Sequence, residues 1–130
     1  MAKDIQVGTT FKHERTCTKY QPIYYAGGSG DFNPIHIDDE VGRKAGLGGV
    51  ILQGLCTFAW LAETVTEFQQ DPGKIRKIRA RFSRPVVIGD TLTYEAKVTG
   101  IEGGKFHAEV VAKNQKGEEV LKGAALEVSL

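Results

Sequence analysis

Residues 53–68 place the strongest constraint on how this chain of 130 residues can fold. Apolar side chains recur there at helical spacing and leave almost no polar face in the first half of the segment: Leu55, Cys56, Phe58, Ala59, Leu61, Ala62, Val65 and Phe68. A helix that is apolar nearly all round must be buried, and at about 1.5 Å per residue this one is about 24 Å long. The length of the chain is typical of one domain, so we expect residues 1–130 to form a single domain around this helix.

Alternating apolar and polar residues fill most of the chain after this helix. The alternation covers residues 77–82, 92–98, 106–113 and 120–128, and a period of two indicates strands with one buried face. Turn signals separate the runs, and short connections favour antiparallel pairing between consecutive strands. A mixed strand candidate lies in residues 7–20, and a short helix is plausible at about residues 38–44. Together these elements predict an α+β fold in which an antiparallel sheet wraps around the long helix.

Charge and cysteine content exclude several classes of function. The chain carries 17 Lys and Arg against 16 Asp and Glu, a net charge of +1, which argues against a nucleic-acid partner. Cys17 and Cys56 fit no metal motif and are too few for a disulfide scaffold. The amino terminus has no apolar signal region, and the longest apolar stretch is too short to span a membrane. We therefore expect a cytoplasmic protein with no metal, no nucleic acid and no membrane partner.

An aspartate and a histidine lie close together on a segment that cannot be a regular helix. Pro34 lacks an amide donor and biases Asn33 away from helical dihedral angles, so Asp31 and His36 lie on a bent loop. Such a loop can point both side chains at one spot, where they would form an acid/base pair near neutral pH. The alternative is structural, because Asp and Asn commonly cap turns and helices and the histidine can simply be exposed.

Half of the 16 glycines lie in residues 27–54, around this loop and the start of the long helix. A helix start offers free N–H groups and the positive end of the helix dipole. Gly54 has no side chain to block a ligand from those groups, which suits an oxyanion hole. The alternative is that these glycines only let the chain turn and pack tightly.

Three segments of the sequence resemble the MaoC-like dehydratase family, whose members include the (R)-specific enoyl-CoA hydratases. The segments are Tyr25-Ala-Gly-Gly-Ser-Gly-Asp-Phe-Asn-Pro-Ile-His36, Val50-Ile-Leu-Gln-Gly-Leu-Cys-Thr-Phe58 and Phe82-Ser-Arg-Pro-Val-Val-Ile-Gly-Asp90. The resemblance implies a hot dog fold and a homodimer or higher homo-oligomer. It also implies an acyl-CoA or acyl-carrier thioester substrate, bound near the subunit interface without a metal or a separate cofactor.

The same resemblance implies roles for five residues. Asp31 and His36 match the catalytic pair, which would hold a water molecule against the double bond of a trans-2-enoyl thioester. The Gly54 amide matches the donor that polarises the thioester carbonyl. Asn33 matches a residue that supports the loop, and Gln53 joins Asn33 and Gly54 as a residue that binds the substrate.

Two positions depart from the family pattern. Gln53 stands where these hydratases usually carry histidine, and Ala62 stands where some of them carry serine near the acyl pocket. Glutamine can still donate a hydrogen bond but cannot titrate. These departures bear on substrate length and pocket polarity rather than on the class of reaction.

The implied function is a hydro-lyase that reversibly hydrates trans-2-enoyl-CoA to (R)-3-hydroxyacyl-CoA. The alternatives are a hot dog acyl-CoA thioesterase and a non-catalytic subunit that binds acyl-CoA. Positive charge is concentrated after the long helix, and Arg79, Arg81 and Arg84 either form part of a solvated strand face or contact coenzyme A phosphates. Cys56 lies among apolar residues, where free cysteine behaves as a buried hydrophobe rather than a nucleophile.

Overall fold

The structure, a computed structural model, describes residues 3–130 and consists of one sheet, three α-helices and two short 3-10 helices in those residues. The elements follow one another as β1 (Thr10–Thr16), α1 (Gln21–Ser29), a 3-10 helix (Pro34–His36), α2 (Asp39–Lys44), α3 (Gly54–Gln69), a second 3-10 helix (Pro72–Lys74), β2 (Ile75–Phe82), β3 (Thr91–Glu102), β4 (Lys105–Lys113) and β5 (Glu119–Ser129).

The five strands form one antiparallel sheet in the order β1-β3-β4-β5-β2. Strands β3, β4 and β5 follow one another through short turns, as the sequence predicts. The expectation of pairing between consecutive strands is wrong for β2, which pairs with β5 at the far edge instead of with β3. The physical reason is that β1 already occupies the free side of β3. The connection at residues 83–90 carries the chain from β2 at one edge to β3, the neighbour of the other edge strand.

Helix α3 packs its apolar side chains against the inner face of this sheet. Trp60, Leu61 and Val65 are buried with Tyr94 and Phe106 in one hydrophobic core. The alternation along β3 and β4 supplies the other side of this core, since every second residue there is buried. An antiparallel sheet wrapped around one long buried helix is the hot dog fold, so the predicted fold class is confirmed and the predicted helix is correct to within one residue.

Of the two α-helices that precede α3, the sequence predicts α2 but not α1. Helix α2 was predicted, and the Asp38 side chain caps it by accepting a hydrogen bond of 2.9 Å from the Glu40 N–H. Helix α1 was not predicted, because it contains Gly27 and Gly28, which have poor helix propensity. Pro22 lies in its first turn, where a missing N–H has no cost.

Both cysteines are free and buried. Burial raises the pKa of the Cys17 thiol to about 12, and burial also raises the pKa of Cys56. A thiol held neutral is a poor nucleophile, which agrees with the structural interpretation of Cys56. Within residues 3–130, no helix is both long and apolar enough to cross a membrane, and no three potential metal ligands cluster together.

Candidate active site

The loop that carries Asp31 begins where α1 ends. Gly30 caps the helix with a left-handed φ of 79°, and its N–H donates to the Ala26 carbonyl at 2.8 Å. The Ser29 hydroxyl accepts a hydrogen bond of 3.1 Å from the Asp31 N–H. The turn out of α1 therefore fixes the backbone of Asp31 before the chain reaches the 3-10 helix.

Asn33 holds the next turn of the loop. Its side-chain oxygen accepts a hydrogen bond of 3.3 Å from the Ile35 N–H, and its own N–H donates to Asp31 Oδ1 at 3.3 Å. Asn33 thus caps the 3-10 helix that ends at His36. These bonds are of the kind that the supporting role implied by the resemblance requires. They use Asp31 Oδ1 and leave Asp31 Oδ2 available for another contact.

His36 is buried, and its ring has a defined orientation. Nδ1 lies 2.8 Å from the Ile51 carbonyl oxygen. Since a carbonyl only accepts, Nδ1 carries a proton, and in the neutral tautomer that fits this bond the lone pair lies on Nε2. Nε2 lies 3.8 Å from Asp31 Oδ2, and the Asp31 side chain is 43% exposed. The two atoms face each other across a gap that one water molecule can bridge from the solvent side.

The start of α3 presents unused hydrogen-bond donors. The Gln53 carbonyl accepts bonds from the N–H groups of Cys56 and Thr57. Among residues 3–130, no acceptor is hydrogen-bonded to the N–H groups of Gly54 and Leu55, as expected for a first helical turn. These two N–H groups lie at the positive end of the helix dipole.

A phenylalanine covers Gly54. Three atoms of the Phe82 ring lie 3.3–3.4 Å from the position that a Cβ on Gly54 would occupy. Phe82 is the last residue of β2, and its side chain is 58% exposed. The ring therefore occupies space that a side chain at position 54 would need.

One cavity of about 240 Å³ lies between the loop histidine and the start of α3. His36, Gly54 and Phe82 line it, whereas Asp31 and Asn33 are not among its lining residues. Most of the remaining lining is apolar and comes from the segment before α3, the connection after β2 and β5. The structure therefore unites the histidine of the loop with the bare helix start, two features that the sequence could only place on separate segments. A cavity with an apolar lining and few polar groups is the usual form of a small-molecule site.

The three arginines expected near a phosphate group lie in different places. Arg84 lines the cavity, and its Nη1 lies 3.1 Å from Glu118 Oε2. Arg79 lies in a separate depression on the outer face of the sheet, and Arg81 is exposed beside Lys122 on β5. Only Arg84 of the three reaches the cavity within this chain.

Gln53 lies outside the lining of the cavity. Its side chain is 1% exposed, and Nε2 donates a hydrogen bond of 2.9 Å to the Pro22 carbonyl in α1. Its Oε1 is buried without a hydrogen-bond partner in the described part of the chain. The structure thus places the Gln53 side chain between α1 and α3. Ala62 is half-buried on α3 and also lies outside the lining.

Sequence reasoning missed two features of the site. Phe82 continues the strand alternation, so nothing in the local pattern indicates that it reaches Gly54. The Ile51 carbonyl that orients His36 is a backbone group, and no side-chain motif reports it. The one sequence signal near the Ile51 carbonyl is the short apolar stretch before α3, which indicates a segment buried against other elements.

The sheet wrapped around α3 defines this chain as a hot dog protein, and in it the loop of His36 lies beside the bare start of α3. A sequence model of the family described as "MaoC like domain" matches residues 2–120. The chain belongs to this family.

Curated relatives agree with this assignment, and a solved structure shares the fold. The chain is 34% identical over 102 residues to the peroxisomal multifunctional enzyme type 2 of Mus musculus. The aligned region covers 77% of this chain and 13% of the relative. It is 36% identical over 94 residues to an Arabidopsis thaliana protein named enoyl-CoA hydratase 2, peroxisomal, covering 71% and 30%. The chain thus spans less than a third of either relative. The (R)-hydratase from A. caviae has the same fold, with a TM-score of 0.89 at 20% identity over 99% of each chain.

Proposed function

We propose that this chain reversibly hydrates trans-2-enoyl-CoA thioesters to (R)-3-hydroxyacyl-CoA. The observation that carries the proposal is a cavity lined by both His36 and Gly54, with Asp31 facing His36 Nε2. Membership of the MaoC-like family and the name of the Arabidopsis relative support the same reaction class. Coenzyme A enters as part of the substrate, and the proposal includes no metal and no separate cofactor.

The Asp31/His36 pair would activate the water molecule. Because the Nδ1–H group donates a hydrogen bond to the Ile51 carbonyl, the neutral imidazole has its Nε2 lone pair on the side of Asp31 Oδ2. A water molecule between these atoms would give one proton to the pair as its oxygen bonds to C3 of the enoyl group. The pair would then deliver a proton to C2, so that one water molecule is added in total. Two interacting groups titrate as a unit, so the proposal assigns the proton transfers to the pair.

The start of α3 would stabilise the charge that develops on the thioester oxygen. Attack at C3 pushes electrons toward the C1 carbonyl and gives it enolate character. The free N–H of Gly54, at the positive end of the α3 dipole, would bind such an oxygen. Removal of one such donor typically lowers kcat by about 10²–10³-fold.

The surroundings of the cavity suit the rest of the substrate. Its apolar lining would take the acyl chain, and Arg84 at the cavity would attract a coenzyme A phosphate. Strand β2 is an edge of the sheet and pairs only with β5 within this chain. We propose that two copies pair through this edge, which would place Arg79 and Arg81 at the interface. Sedimentation of the purified protein tests this arrangement, because a monomer at all concentrations would exclude it.

Loss of the conjugated enoyl absorbance of crotonyl-CoA tests the reaction, and chiral analysis of the product tests its stereochemistry. Asp31→Asn and His36→Ala should each lower kcat by about 10²–10⁴-fold, the usual contribution of acid/base groups. Asp38→Asn is the matched control, since asparagine also caps helices well. If both site variants turn over at the parent rate with the fold intact, the assigned pair is wrong. Release of free thiol from saturated acyl-CoA would instead indicate a thioesterase, and binding without turnover would indicate a non-catalytic subunit.

A further inference from the structure

Gln53 is a buried amide at the junction of the two parts of the site. Its Nε2 donates to the Pro22 carbonyl at 2.9 Å, and its backbone immediately precedes Gly54. Pro22 belongs to the first turn of α1, the helix that ends one residue before the Gly30 cap and leads into Asp31. A single side chain therefore connects the helix of the acid/base loop to the start of the helix that bears the free N–H groups.

The polarity of Gln53 is costly for a residue that only fills space. Oε1 is buried and has no partner within residues 3–130, and an unsatisfied buried acceptor destabilises a fold. An apolar side chain of the same length would remove that oxygen. The Pro22 carbonyl would not become unsatisfied, because a carbonyl in a helix also accepts a hydrogen bond from the N–H group four residues later. The directional bond from Nε2 is what an apolar residue could not supply.

Further ties between the two parts come from Gln21 on α1, whose Nε2 donates to Cys56 Sγ at 3.6 Å, and from Ile51. The Ile51 carbonyl lies 2.8 Å from His36 Nδ1, and the Ile51 N–H donates to the Ile35 carbonyl at 3.1 Å. Both bonds fix the His36 end of the loop. The Gln53 bond is the shorter of the two side-chain ties to α1 and the one that adjoins Gly54.

We propose that Gln53 is a positioning residue that sets the separation between the Asp31/His36 pair and the Gly54 N–H through its bond to Pro22. This inference rests on the proposed hydration reaction. It also replaces the expectation that Gln53 binds the substrate. A displacement of about 1 Å in a reacting geometry can lower a rate by about 10²-fold, so a lost tie of this kind affects turnover more than it affects stability.

The test compares the two ends of α3. Gln53→Met removes the tie at the start of the helix. Gln69→Met is the matched control, because Gln69 Nε2 makes the same kind of bond, 3.0 Å long, to the Ser129 carbonyl at the other end. For each variant, kcat and KM are measured with crotonyl-CoA, and urea unfolding gives the stability.

We expect Gln53→Met to lower kcat about tenfold to hundredfold, with KM within about threefold of the parent value and stability equal or higher. Gln69→Met should leave kcat unchanged. Gln53→Glu adds a rescue, because its protonated carboxyl can donate to Pro22 as the amide does. The ratio of its kcat to that of the parent should therefore rise as the pH falls. Parent-like kcat in Gln53→Met, or an equal loss in Gln69→Met, would overturn the proposal.

A readout without turnover separates this inference from the proposed reaction. Nuclear magnetic resonance of the free protein reports the His36 ring and the Gly54 N–H directly. Gln53→Met should shift the His36 ring signals, which belong to a residue distant in sequence, while Gln69→Met should not shift them; the Gly54 signal is not used for this comparison, because any substitution at position 53 shifts it. If the parent hydrates no enoyl-CoA but these shifts occur, the reaction is wrong and the positioning role stands. If the signals do not move, the positioning role is wrong whatever the reaction.

Discussion

Substitution of Gly54 by alanine distinguishes two effects: loss of access to the N–H group at the start of α3, and any change in the stability of the protein. The added Cβ would lie 3.3–3.4 Å from three atoms of the Phe82 ring, close enough that the ring must move by a few tenths of an ångström. Gly54 does not have a positive φ, so alanine adds no backbone strain. The N–H group remains, and the substitution therefore tests access to that group.

Two opposing terms decide the effect on stability. Alanine is better than glycine inside a helix by about 0.5–1 kcal/mol. Displacing Phe82 opposes this gain only weakly, because the ring is 58% exposed and can swing outward. We expect the free energy of unfolding to change by less than about 1 kcal/mol, which corresponds to a change in Tm of a few degrees for a chain of this size.

The effect on activity should be far larger. A methyl group beside the N–H displaces the thioester oxygen that Gly54 would bind, and the loss of one such interaction lowers kcat/KM by about 10²–10³-fold. Steady-state hydration of crotonyl-CoA measures this, with thermal unfolding in parallel. Gly27→Ala on α1 is the control, since a Cβ there meets no atom within 4 Å, and it should keep full activity. Parent-like kcat/KM for Gly54→Ala would refute the assignment of this helix start to substrate binding.

Two further predictions concern charge. Arg84→Gln should raise KM severalfold for an enoyl-CoA but not for the matching N-acetylcysteamine thioester, which has no phosphate. Glu118→Gln, which removes the ion-pair partner of Arg84, should not raise KM for either substrate, and an equal rise with both thioesters would contradict a phosphate contact. Burial raises the pKa of Cys17 from 9.0 to about 12, so the contribution of this thiol to stability is full below pH 9. That contribution declines as the pH rises from 9 toward 12, because the unfolded chain loses the proton first. Urea unfolding across this range should show a shallower decline in Cys17→Ala, and an identical decline would contradict the assignment.

The elements with strong local signals were predictable from the sequence. Helix α3 and strands β3 to β5 follow from apolar periodicity, which depends only on neighbouring residues. Helix α1 was not predictable, because Gly27 and Gly28 lower its propensity and tertiary contacts, including the bond from Gln53 to Pro22, hold it in place. The edge position of β2 depends on which side of β3 remains free, a property of the whole sheet.

The candidate site was predictable as separate parts and not as an arrangement. The loop chemistry of Asp31 and His36 follows from the proline and the residue types, and the bare start of α3 follows from Gly54. That Phe82 covers Gly54 depends on a contact between β2 and α3, which no local pattern encodes. The same limit explains Gln53, whose family position suggested a ligand contact while its bond to Pro22 places it between helices.

The bond between His36 and Ile51 has a consequence for how the site tolerates mutation. The group that fixes the tautomer of the imidazole is a main-chain carbonyl, and the adjoining Ile51 N–H also donates to the loop. Every residue except proline supplies both groups. A substitution at position 51 can therefore change the shape of the cavity that this side chain lines. The tautomer of His36 would stay the same, because a backbone carbonyl sets it. Drift in sequence at this position can retune which ligands fit without altering the acid/base chemistry.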